Sequence, residues 1–288
     1  MGQFPPEMID GLCRPGAYPH PVETVERVET HISWVFLAGE YAYKFKKPLD
    51  LGFLDFRDRE RRVHYCREEL RLNGRLAPDL YLEVVGARCT SQGCSIGSLE
   101  DDAEPAVRMR RFPAEAQLDR LLEAGRLDAA VLETFAVTLA EFQGSLPSAS
   151  REDGYGDAAA VARPALANFE AIPAEALGAQ EQASLAKLQA WTRARAAALA
   201  PRFEARLDAG LVREGHGDLH LSNLVMLDGR IAAFDGIEFD PALRWIDLQS
   251  EVAFLLMDLE ARDRRDLGWR FYNAWLAAFG DYDGIALL

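Results

Sequence analysis

Two stretches in the last third of this sequence are the most informative about its architecture: His216-Gly217-Asp218-Leu219-His220-Leu221-Ser222-Asn223 and, further along, Phe234-Asp235-Gly236. Between them, two short apolar runs flank an Asp-Gly dipeptide, a pattern that predicts a β-hairpin. The hairpin would bring Asn223 and Asp235 side by side, because one residue precedes its first strand and the other follows its second strand.

These side chains form a set suited to phosphoryl transfer. Asn223 and Asp235 offer two oxygen ligands at one point, which suits Mg²⁺, an ion that completes its shell with water and phosphate. Asp218 is a neighbouring carboxylate that can orient a hydroxyl group and accept its proton. Lys44, far upstream within Tyr41–Lys46, can neutralise phosphate oxygens. Metal, base and cation are the parts that this reaction requires.

The amino-terminal part of the chain is predicted to be a small antiparallel sheet with one helix. The segment Tyr41–Lys46 alternates, with Tyr43 and Phe45 on one face and Lys44 on the other. A charged stretch with apolar residues at helical spacing predicts an amphipathic helix. The predicted elements are strands His31–Leu37, Tyr41–Lys46, Leu80–Val85 and Ala106–Phe112, a helix within Arg57–Leu76, and a turn over the Gly- and Ser-rich segment Ser91–Glu104.

The rest of the chain is predicted to be mainly helical. Alanine-rich helical patterns run from about Glu115 to Gly210, with a loop over Ser145–Asp157. The tail from Leu243 to Phe279 also has a helical pattern. The sequence therefore predicts an α/β (α+β) chain with a small sheet-bearing part and a larger helical part.

The order of these motifs resembles that of the aminoglycoside phosphotransferase and choline kinase group. His216–Asn223 resembles the catalytic loop HGDxxxxN, the counterpart of HRDxxxxN in protein kinases. Phe234-Asp235-Gly236 resembles the metal-binding DFG segment, and Tyr41-Ala42-Tyr43-Lys44 resembles the VAIK strand. Longer runs, among them YKFKKPLDLGFLDF, VRMRRFP and FDGIEFDPALRWIDLQSEVAFLLMDLE, are similar to a bacterial subfamily in which the kinase-like domain is often fused to a P-loop ATPase domain.

The resemblance implies a protein-kinase-like fold over nearly the whole chain. It predicts a single domain over residues 1–288, with a small amino-terminal lobe over about 20–109 and a hinge at about 109–113. A larger, mainly helical lobe would follow over about 114–288. ATP with Mg²⁺ is then expected in the cleft between the lobes.

The resemblance also implies roles for individual residues. Asp218 corresponds to the catalytic base, Asn223 and Asp235 to the Mg²⁺ ligands, and Lys44 to the lysine that contacts the α- and β-phosphates. Two further positions, Met109 and Arg110, fall in the hinge segment, where backbone groups would meet adenine.

Two carboxylates are predicted to support this machinery. A glutamate on the helix after Lys44 should pair with it, and Glu68 and Glu69 both qualify. Glu69 is preferred, because it lies on the helix face expected to point toward the core. Asp247 resembles the helix aspartate that braces the catalytic loop.

The chain departs from the family pattern in its phosphate-binding loops. It has no GxGxxG sequence, and the turn Leu37–Glu40 holds a single glycine, so a weaker grip on the phosphates is expected. It also has no GxxxxGK[ST] sequence, so the companion ATPase domain is expected to be absent.

Composition limits the partners and the compartment. Among 288 residues, 32 Lys and Arg against 46 Asp and Glu give a net charge of −14. Such an acidic chain is a poor partner for nucleic acids or anionic membrane surfaces, which require basic residues. No targeting or membrane-spanning segment is visible, so a soluble, cytoplasmic protein is expected. The cysteines show no metal-binding spacing, and four free, reduced thiols are expected.

The sequence predicts an ATP-dependent phosphotransferase that acts on a hydroxyl of a small molecule. Acidic residues near the catalytic segments, Glu214, Glu238 and Asp240, would fit a cationic acceptor. A peptide acceptor is disfavoured, because Pro241 follows the metal segment too soon for an activation loop.

Two other classes remain open. The missing glycine-rich loop and ATPase domain favour a non-catalytic nucleotide-binding module, a regulatory pseudokinase with an unknown partner protein, although the intact set of Lys44, Asp218, Asn223 and Asp235 disfavours it. The string His216, Asp218, His220 hints at a zinc hydrolase.

Overall fold

The computed structural model describes residues 6–173 and 177–288, and it confirms the fold class predicted from the sequence. A small antiparallel sheet with one long helix lies in the amino-terminal part, and the later part is mainly helical. The chain divides into two compact units, one formed by residues up to Val131 with Asp218–Asp240, the other by Leu132–Gly217 with Pro241–Leu288. The predicted lobes divide the chain elsewhere, at about residues 109–113, and their boundaries stay a prediction.

The elements follow one another along the described chain. The strands are β1 Val25–Glu29, β2 Ser33–Ala38, β3 Tyr41–Lys46, β4 Tyr81–Thr90, β5 Gly93–Ser98, β6 Glu104–Arg110, β7 Val212–Glu214, β8 Leu224–Leu227, β9 Arg230–Ala233 and β10 Trp245–Asp247. The helices are α1 Pro6–Leu12, α2 Arg59–Asn73, α3 Leu118–Glu123, α4 Ala129–Ser145, α5 Ala158–Glu170, α6 Ala179–Asp208, α7 Pro241–Arg244, α8 Leu248–Ala261 and α9 Arg265–Phe279.

The main sheet of the first unit places β3 in its interior. Its six strands run in the order β1-β2-β3-β6-β4-β5, and every neighbouring pair is antiparallel. Lys44 lies opposite Val35 on β2 and opposite Val107 on β6. The lysine therefore projects from an interior strand whose backbone is hydrogen-bonded on both sides, and its position is well defined.

The two faces of β3 belong to different parts of the core, as its alternating sequence predicts. Tyr43 and Phe45 pack in a cluster with Met8 and Leu12 of α1. Ala42 belongs to a second cluster, which also contains Cys66 of α2. Because Lys44 and Lys46 lie at even steps from Ala42, both point toward the side of the sheet that α2 covers.

Helix α2 begins at Arg59, where the carboxylate of Asp58 accepts a hydrogen bond from the backbone N–H of Glu60. It ends at Asn73, so it is shorter than the predicted segment Arg57–Leu76. Its buried residues include Cys66, Glu69 and Asn73. Their spacing of three and four residues places them on one face, which explains how a carboxylate of this helix becomes buried.

Two predictions for the first unit are wrong. The segment predicted as a turn contains β5, because pairing with β4 makes a strand of residues rich in Gly and Ser. That hairpin also places Cys89 directly opposite Cys94, and the two form a disulfide. Cys13 and Cys66 are free, so the expectation of four free thiols fails for the other pair.

The second unit consists of α5, α6, α8 and α9, most of α4, the short helix α7 and a small sheet. Strand β10 pairs with β7, so the tail predicted as helical is interrupted by a three-residue strand, Trp245–Asp247. Within residues 6–173 and 177–288, no helix is both long enough and apolar enough to cross a membrane.

Candidate active site

The first unit brings Lys44 together with two carboxylates. The Nζ atom of Lys44 donates to Glu69 Oε1 at 2.8 Å and also to Asp235 Oδ1. Glu68, the alternative partner considered from the sequence, instead accepts from Arg71 at 2.7 Å on the helix surface. The side chain of Lys44 is 9 % exposed and that of Glu69 is fully buried, whereas Asp235 is 47 % exposed.

Lys44 and Glu69 hold each other in their charged forms. Burial opposes a charged ammonium, yet Asp235 and Glu69 raise the pKa of Lys44 well above its ordinary value. Burial alone would also raise the pKa of Glu69, but Lys44 and Lys46 hold it below its ordinary value. The site therefore presents a permanent cation next to the half-exposed carboxylate of Asp235.

Hairpin β8–β9 positions Asn223 and Asp235, as the sequence predicts. Leu224 pairs with Ala233, and the backbone N–H of Phe234 donates to the carbonyl oxygen of Asn223 at 2.9 Å. Asn223 and Asp235 therefore flank the open end of the hairpin. The Asp-Gly turn at its other end has positive φ at both residues, as two-residue hairpins of type I′ require.

The amide group of Asn223 is oriented by Asp218. Its Nδ2 donates to the backbone oxygen of Asp218 at 3.0 Å and to the carboxylate oxygen Oδ2 at 3.1 Å. Because the nitrogen end of the amide faces Asp218, the carbonyl oxygen Oδ1 points away from it. Asp218 itself is 37 % exposed, and His220 Nε2 lies 3.4 Å from its Oδ2. This arrangement leaves a carboxylate at the surface of the site and an amide oxygen beside it.

Asp235 has a strained backbone that two buried side chains support. Its φ of 60° lies in the left-handed region, which residues other than glycine rarely adopt. The hydroxyl oxygen of Tyr81 accepts from the N–H of Asp235 at 3.0 Å, and Oδ1 of Asn73 accepts from the N–H of Gly236 at 2.7 Å. Neither supporting residue is predictable from the sequence, because both lie far from this segment in the chain.

A second lysine of β3 extends the network of charges. Lys46 Nζ donates to Glu69 Oε2 at 2.7 Å and to Glu238 Oε1, so one carboxylate of α2 holds both lysines. Burial raises the pKa of Glu238, although Lys46 opposes that shift. The alternation of Lys44 and Lys46 predicts that they share a face, but no local signal predicts Glu238 as a partner.

The two predicted hinge residues are engaged in the sheet. The N–H of Arg110 donates to the carbonyl of Leu80 at 2.8 Å, and the Arg110 side chain forms an ion pair with Asp228 at 3.0 Å. Met109 is buried in the same apolar cluster as Ala42. Partly buried residues packed against this cluster include Leu37, Phe112, Leu227 and Phe234. The cluster therefore provides an apolar surface near Lys44, whereas the backbone donor of Arg110 is already used.

The turn between β2 and β3 is only two residues long. Ala38 pairs with Tyr41, which leaves Gly39 and Glu40 as a two-residue turn. Gly39 has a φ of 59°, and a Cβ built on it would lie 3.1 Å from the carbonyl oxygen of Pro21. The turn is thus packed against the preceding segment and has no flexible glycine-rich loop, as expected from the sequence.

In the second unit, the residue that braces the backbone at His216 and Gly217 differs from the predicted one. Glu251 of α8 accepts hydrogen bonds from the backbone N–H of His216 at 3.0 Å and of Gly217 at 3.3 Å. Asp247 instead accepts from the N–H of Gln249 and binds Arg206, so the predicted bracing role of Asp247 is wrong. Asp247 is the residue before α8, and its carboxylate caps that helix.

The donor set around Asn223 and Asp235 fits a hard divalent cation. An amide oxygen and a half-exposed carboxylate are oxygen ligands, and few of them suffice for Mg²⁺, which retains water and phosphate oxygens. Over residues 6–173 and 177–288, no group of three or more His, Cys, Asp and Glu side chains is arranged to hold a metal ion. Asn223 and Asp235 thus offer two oxygen ligands of the kind that Mg²⁺ takes.

Comparisons with known proteins give relatives but no assigned activity. No family model matches the chain. Uncharacterized proteins of Mycobacterium tuberculosis and Mycobacterium bovis are each 32 % identical to it over 275 residues, which cover 94 % of this chain and 53 % of each relative. The chain therefore spans about half the length of the curated relatives it matches.

Similar solved structures include small-molecule kinases. A choline/ethanolamine kinase family protein from Mesorhizobium loti has a TM-score of 0.43 at 13 % identity, over 88 % of this chain and 70 % of that chain. An ethanolamine kinase of Plasmodium vivax has a TM-score of 0.49 at 9 % identity, over 92 % and 69 %. A thermostable mutant of an aminoglycoside phosphotransferase has a TM-score of 0.37 at 17 % identity, over 90 % and 85 %. These similarities assign neither an activity nor a substrate to this chain.

Proposed function

We propose that this protein is an ATP-dependent phosphotransferase that acts on a hydroxyl group of a small molecule. The observation that carries the proposal is the convergence of Lys44, Glu69 and Asp235 in one contact network, which is buried at Glu69 and reaches the surface at Asp235. Asn223 and Asp218, hydrogen-bonded to each other, belong to the same unit. Cation, metal ligands and base are the parts that phosphoryl transfer requires.

Lys44 and Glu69 would act on the phosphates. Lys44 stays charged because carboxylates face it, and Glu69 fixes the position of its Nζ. An ammonium group that is already oriented and desolvated stabilises phosphate oxygens without the cost of reorganising solvent at the moment of reaction. Since the turn at Gly39 and Glu40 is short, this lysine would carry most of the contact with the phosphates from that side.

Asp218 would act as the general base. Its half-exposed carboxylate can accept the proton of an acceptor hydroxyl, and Asn223 holds its oxygen Oδ2 in place through Nδ2. Asn223 and Asp235 would hold Mg²⁺ through Oδ1 and a carboxylate oxygen. When bound, the metal would neutralise charge on the phosphates and orient them for transfer.

The apolar cluster containing Ala42 and Met109 would contact the adenine ring. Leu37, Phe112 and Leu227 are only partly buried against it, so apolar surface remains available there. The prediction that backbone groups of Met109 and Arg110 meet adenine can therefore be narrowed to one of the two residues. We expect contact with the Met109 side of the cluster, because the N–H of Arg110 already binds Leu80.

The acceptor would be a small molecule, and a cationic one fits the acidic chain. The net charge of −14 raises the local concentration of cations, although it does not select one compound. The metal segment at Asp235 is followed almost at once by helix α7, which leaves no long segment to bind a peptide.

The proposal is tested by a screen for Mg²⁺-dependent ATP consumption over small hydroxyl compounds, including aminoglycosides, sugars and amino alcohols. Asp218→Asn serves as the matched control, since it keeps the size of the side chain and removes the proton acceptor. An acceptor that stimulates the parent protein but not the variant supports the proposal. If Mg-ATP binds and no acceptor in a broad screen is phosphorylated, the regulatory nucleotide-binding module becomes the better account.

A further inference from the structure

A second buried lysine lies beside the one assigned to the phosphates, and the proposed chemistry does not use it. The side chain of Lys46 is fully buried, so it cannot itself contact a nucleotide. It binds Glu69 and Glu238, and the Glu238 side chain is only 4 % exposed. Taking two such charges out of water carries a desolvation penalty that their pairing has to offset, so this arrangement calls for an explanation.

We propose that Lys46 and Glu238 form a clamp that holds the segment Asp235–Glu238 against β3 and so positions Asp235 as a metal ligand. This inference rests on the proposed function, since it assigns a positioning role for the same site. Lys46 and Glu238 act through Asp235 and touch neither metal nor nucleotide.

Asp235 must change its partner if it is to bind a metal ion. The carboxylate of Asp235 binds Lys44, which also binds Glu69. If Lys44 contacts phosphates and Asp235 binds a metal ion, the Lys44–Asp235 ion pair no longer attaches the segment Asp235–Glu238 to β3. The backbone of Asp235 is strained, and a strained conformation persists only when its surroundings hold it.

The clamp supplies an attachment that does not depend on the ligand. It joins β3 to the segment three residues beyond Asp235, and it shares Glu69 with Lys44 through the other carboxylate oxygen. Because Lys46 and Glu238 are buried, water and salt weaken this pair little. Tyr81 and Asn73 hold the backbone at Asp235 and Gly236, and the clamp fixes the far end of the same segment.

A purely structural role for the Lys46–Glu238 pair leads to a different expectation. The pair would contribute to the stability of the unit without changing the affinity of Asp235 for a metal ion. Residues that orient a metal ligand typically change metal affinity about 10- to 100-fold when they are replaced. Affinity for Mg²⁺ therefore separates a positioning role from a structural role.

Three variants test the clamp. Glu238→Met removes the acceptor for Lys46, which keeps Glu69 as a partner, so the protein is expected to fold. Glu238→Gln retains an oxygen that can accept from Lys46 and is the conservative rescue. Glu29→Met is the matched control, because it removes the partner of the neighbouring Lys47 from an exposed ion pair of 2.6 Å on the same sheet.

Two readouts apply to all three variants. Hydrogen exchange of residues 234–240, without any ligand, should be faster in Glu238→Met than in the parent protein and in Glu29→Met. Calorimetry with ATP should require about a tenfold higher Mg²⁺ concentration for half-maximal binding in Glu238→Met. Glu238→Gln should recover most of both changes.

The outcomes separate this inference from the proposed function. If exchange increases but the Mg²⁺ requirement equals that of the parent, the pair is structural and the positioning role is overturned. If exchange in Glu238→Met is unchanged, the clamp does not hold the segment and the inference is overturned as well. If the parent binds no ATP with Mg²⁺, the proposed function and the metal role fail together, and exchange alone decides whether the clamp holds the segment.

Discussion

The two compact units each bury a network of charged side chains, and the networks differ in how they end. In the second unit, Arg206 forms paired hydrogen bonds with Asp247 at 2.6 and 2.8 Å and with Asp281 at 2.6 and 2.9 Å. Gln249 donates to Asp281 at 2.8 Å and accepts from Tyr272 at 2.9 Å. All members are buried, so this network ends inside the unit.

In the first unit the corresponding network reaches the surface. Glu69 holds Lys44 and Lys46 inside, but Lys44 also binds Asp235, whose side chain is 47 % exposed and whose φ is positive. A closed network stabilises a fold, whereas a network that ends at an exposed, strained carboxylate keeps a reactive group oriented. Under the proposed function, the first network ends at the metal ligand Asp235, whereas the closed network of the second unit serves stability alone.

The largest expected effect is on turnover, at Asp218, which binds the amide of Asn223 in the first unit. Asp218→Asn should lower turnover about 10²- to 10⁴-fold, the usual contribution of general-base catalysis, while Mg-ATP still binds. Initial rates with an acceptor from the screen, together with a melting curve, measure this effect. A variant that turns over like the parent would remove Asp218 from the mechanism.

The next largest effect is on the stability of the second unit, where the network around Arg206 is closed. Arg206→Met leaves two buried carboxylates without their cation and should lower the free energy of unfolding by about 3–5 kcal/mol. Nucleotide binding by the protein that remains folded should be unchanged, because Arg206 belongs to the second unit. Urea unfolding measures the loss. A loss below about 1 kcal/mol would mean that this network does not stabilise the unit as described.

Glu238 in the first network and Asp281 in the second should contribute opposite pH dependences to stability. Burial raises the pKa of Glu238 in the folded protein, although Lys46 opposes that shift. The protonated acid therefore stabilises the parent protein fully at pH values below the pKa that Glu238 has in the unfolded chain. This contribution is lost as the pH rises through the pKa that Glu238 has in the folded protein. Burial would also raise the pKa of Asp281, but Arg206 and Gln249 hold it below its ordinary value, so its contribution is lost as pH falls through the folded pKa.

The two networks are compared through one neutral variant in each. Relative to the parent, Glu238→Gln should become more stable as pH rises above the ordinary range of a glutamate, by at most about 1.4 kcal/mol per pH unit. Asp281→Asn should become relatively less stable as pH rises through the acid range. Unfolding curves from pH 3 to 8 measure both slopes, and equal signs would contradict the comparison.

Much of the site could be predicted from sequence, because its central residues lie in short local patterns. Asp218, Asn223 and Asp235 lie beside one hairpin, and Lys44 shares a strand face with Ala42. The choice of Glu69 over Glu68 followed from the helical period, and the structure pairs Lys44 with Glu69.

The supporting residues could not be predicted, because each acts across a long stretch of chain. Tyr81 and Asn73 reach Asp235 and Gly236 only after the sheet and α2 have packed. Nothing in the sequence around His216 and Gly217 predicts that Glu251 accepts hydrogen bonds from their backbone. Strand β5 was missed for a related reason: its Gly and Ser residues favour turns, and pairing with β4 outweighs that local preference.

The most direct measurement is calorimetry of ATP binding with and without Mg²⁺ for the parent protein and for Asp235→Asn and Lys44→Met. The account predicts Mg²⁺-dependent binding by the parent, loss of most of that dependence in Asp235→Asn, and weaker binding in Lys44→Met with the fold retained, since Glu69 keeps Lys46 as a partner. If the parent binds no ATP at millimolar Mg²⁺, or if all three proteins bind it equally, the central claim is contradicted.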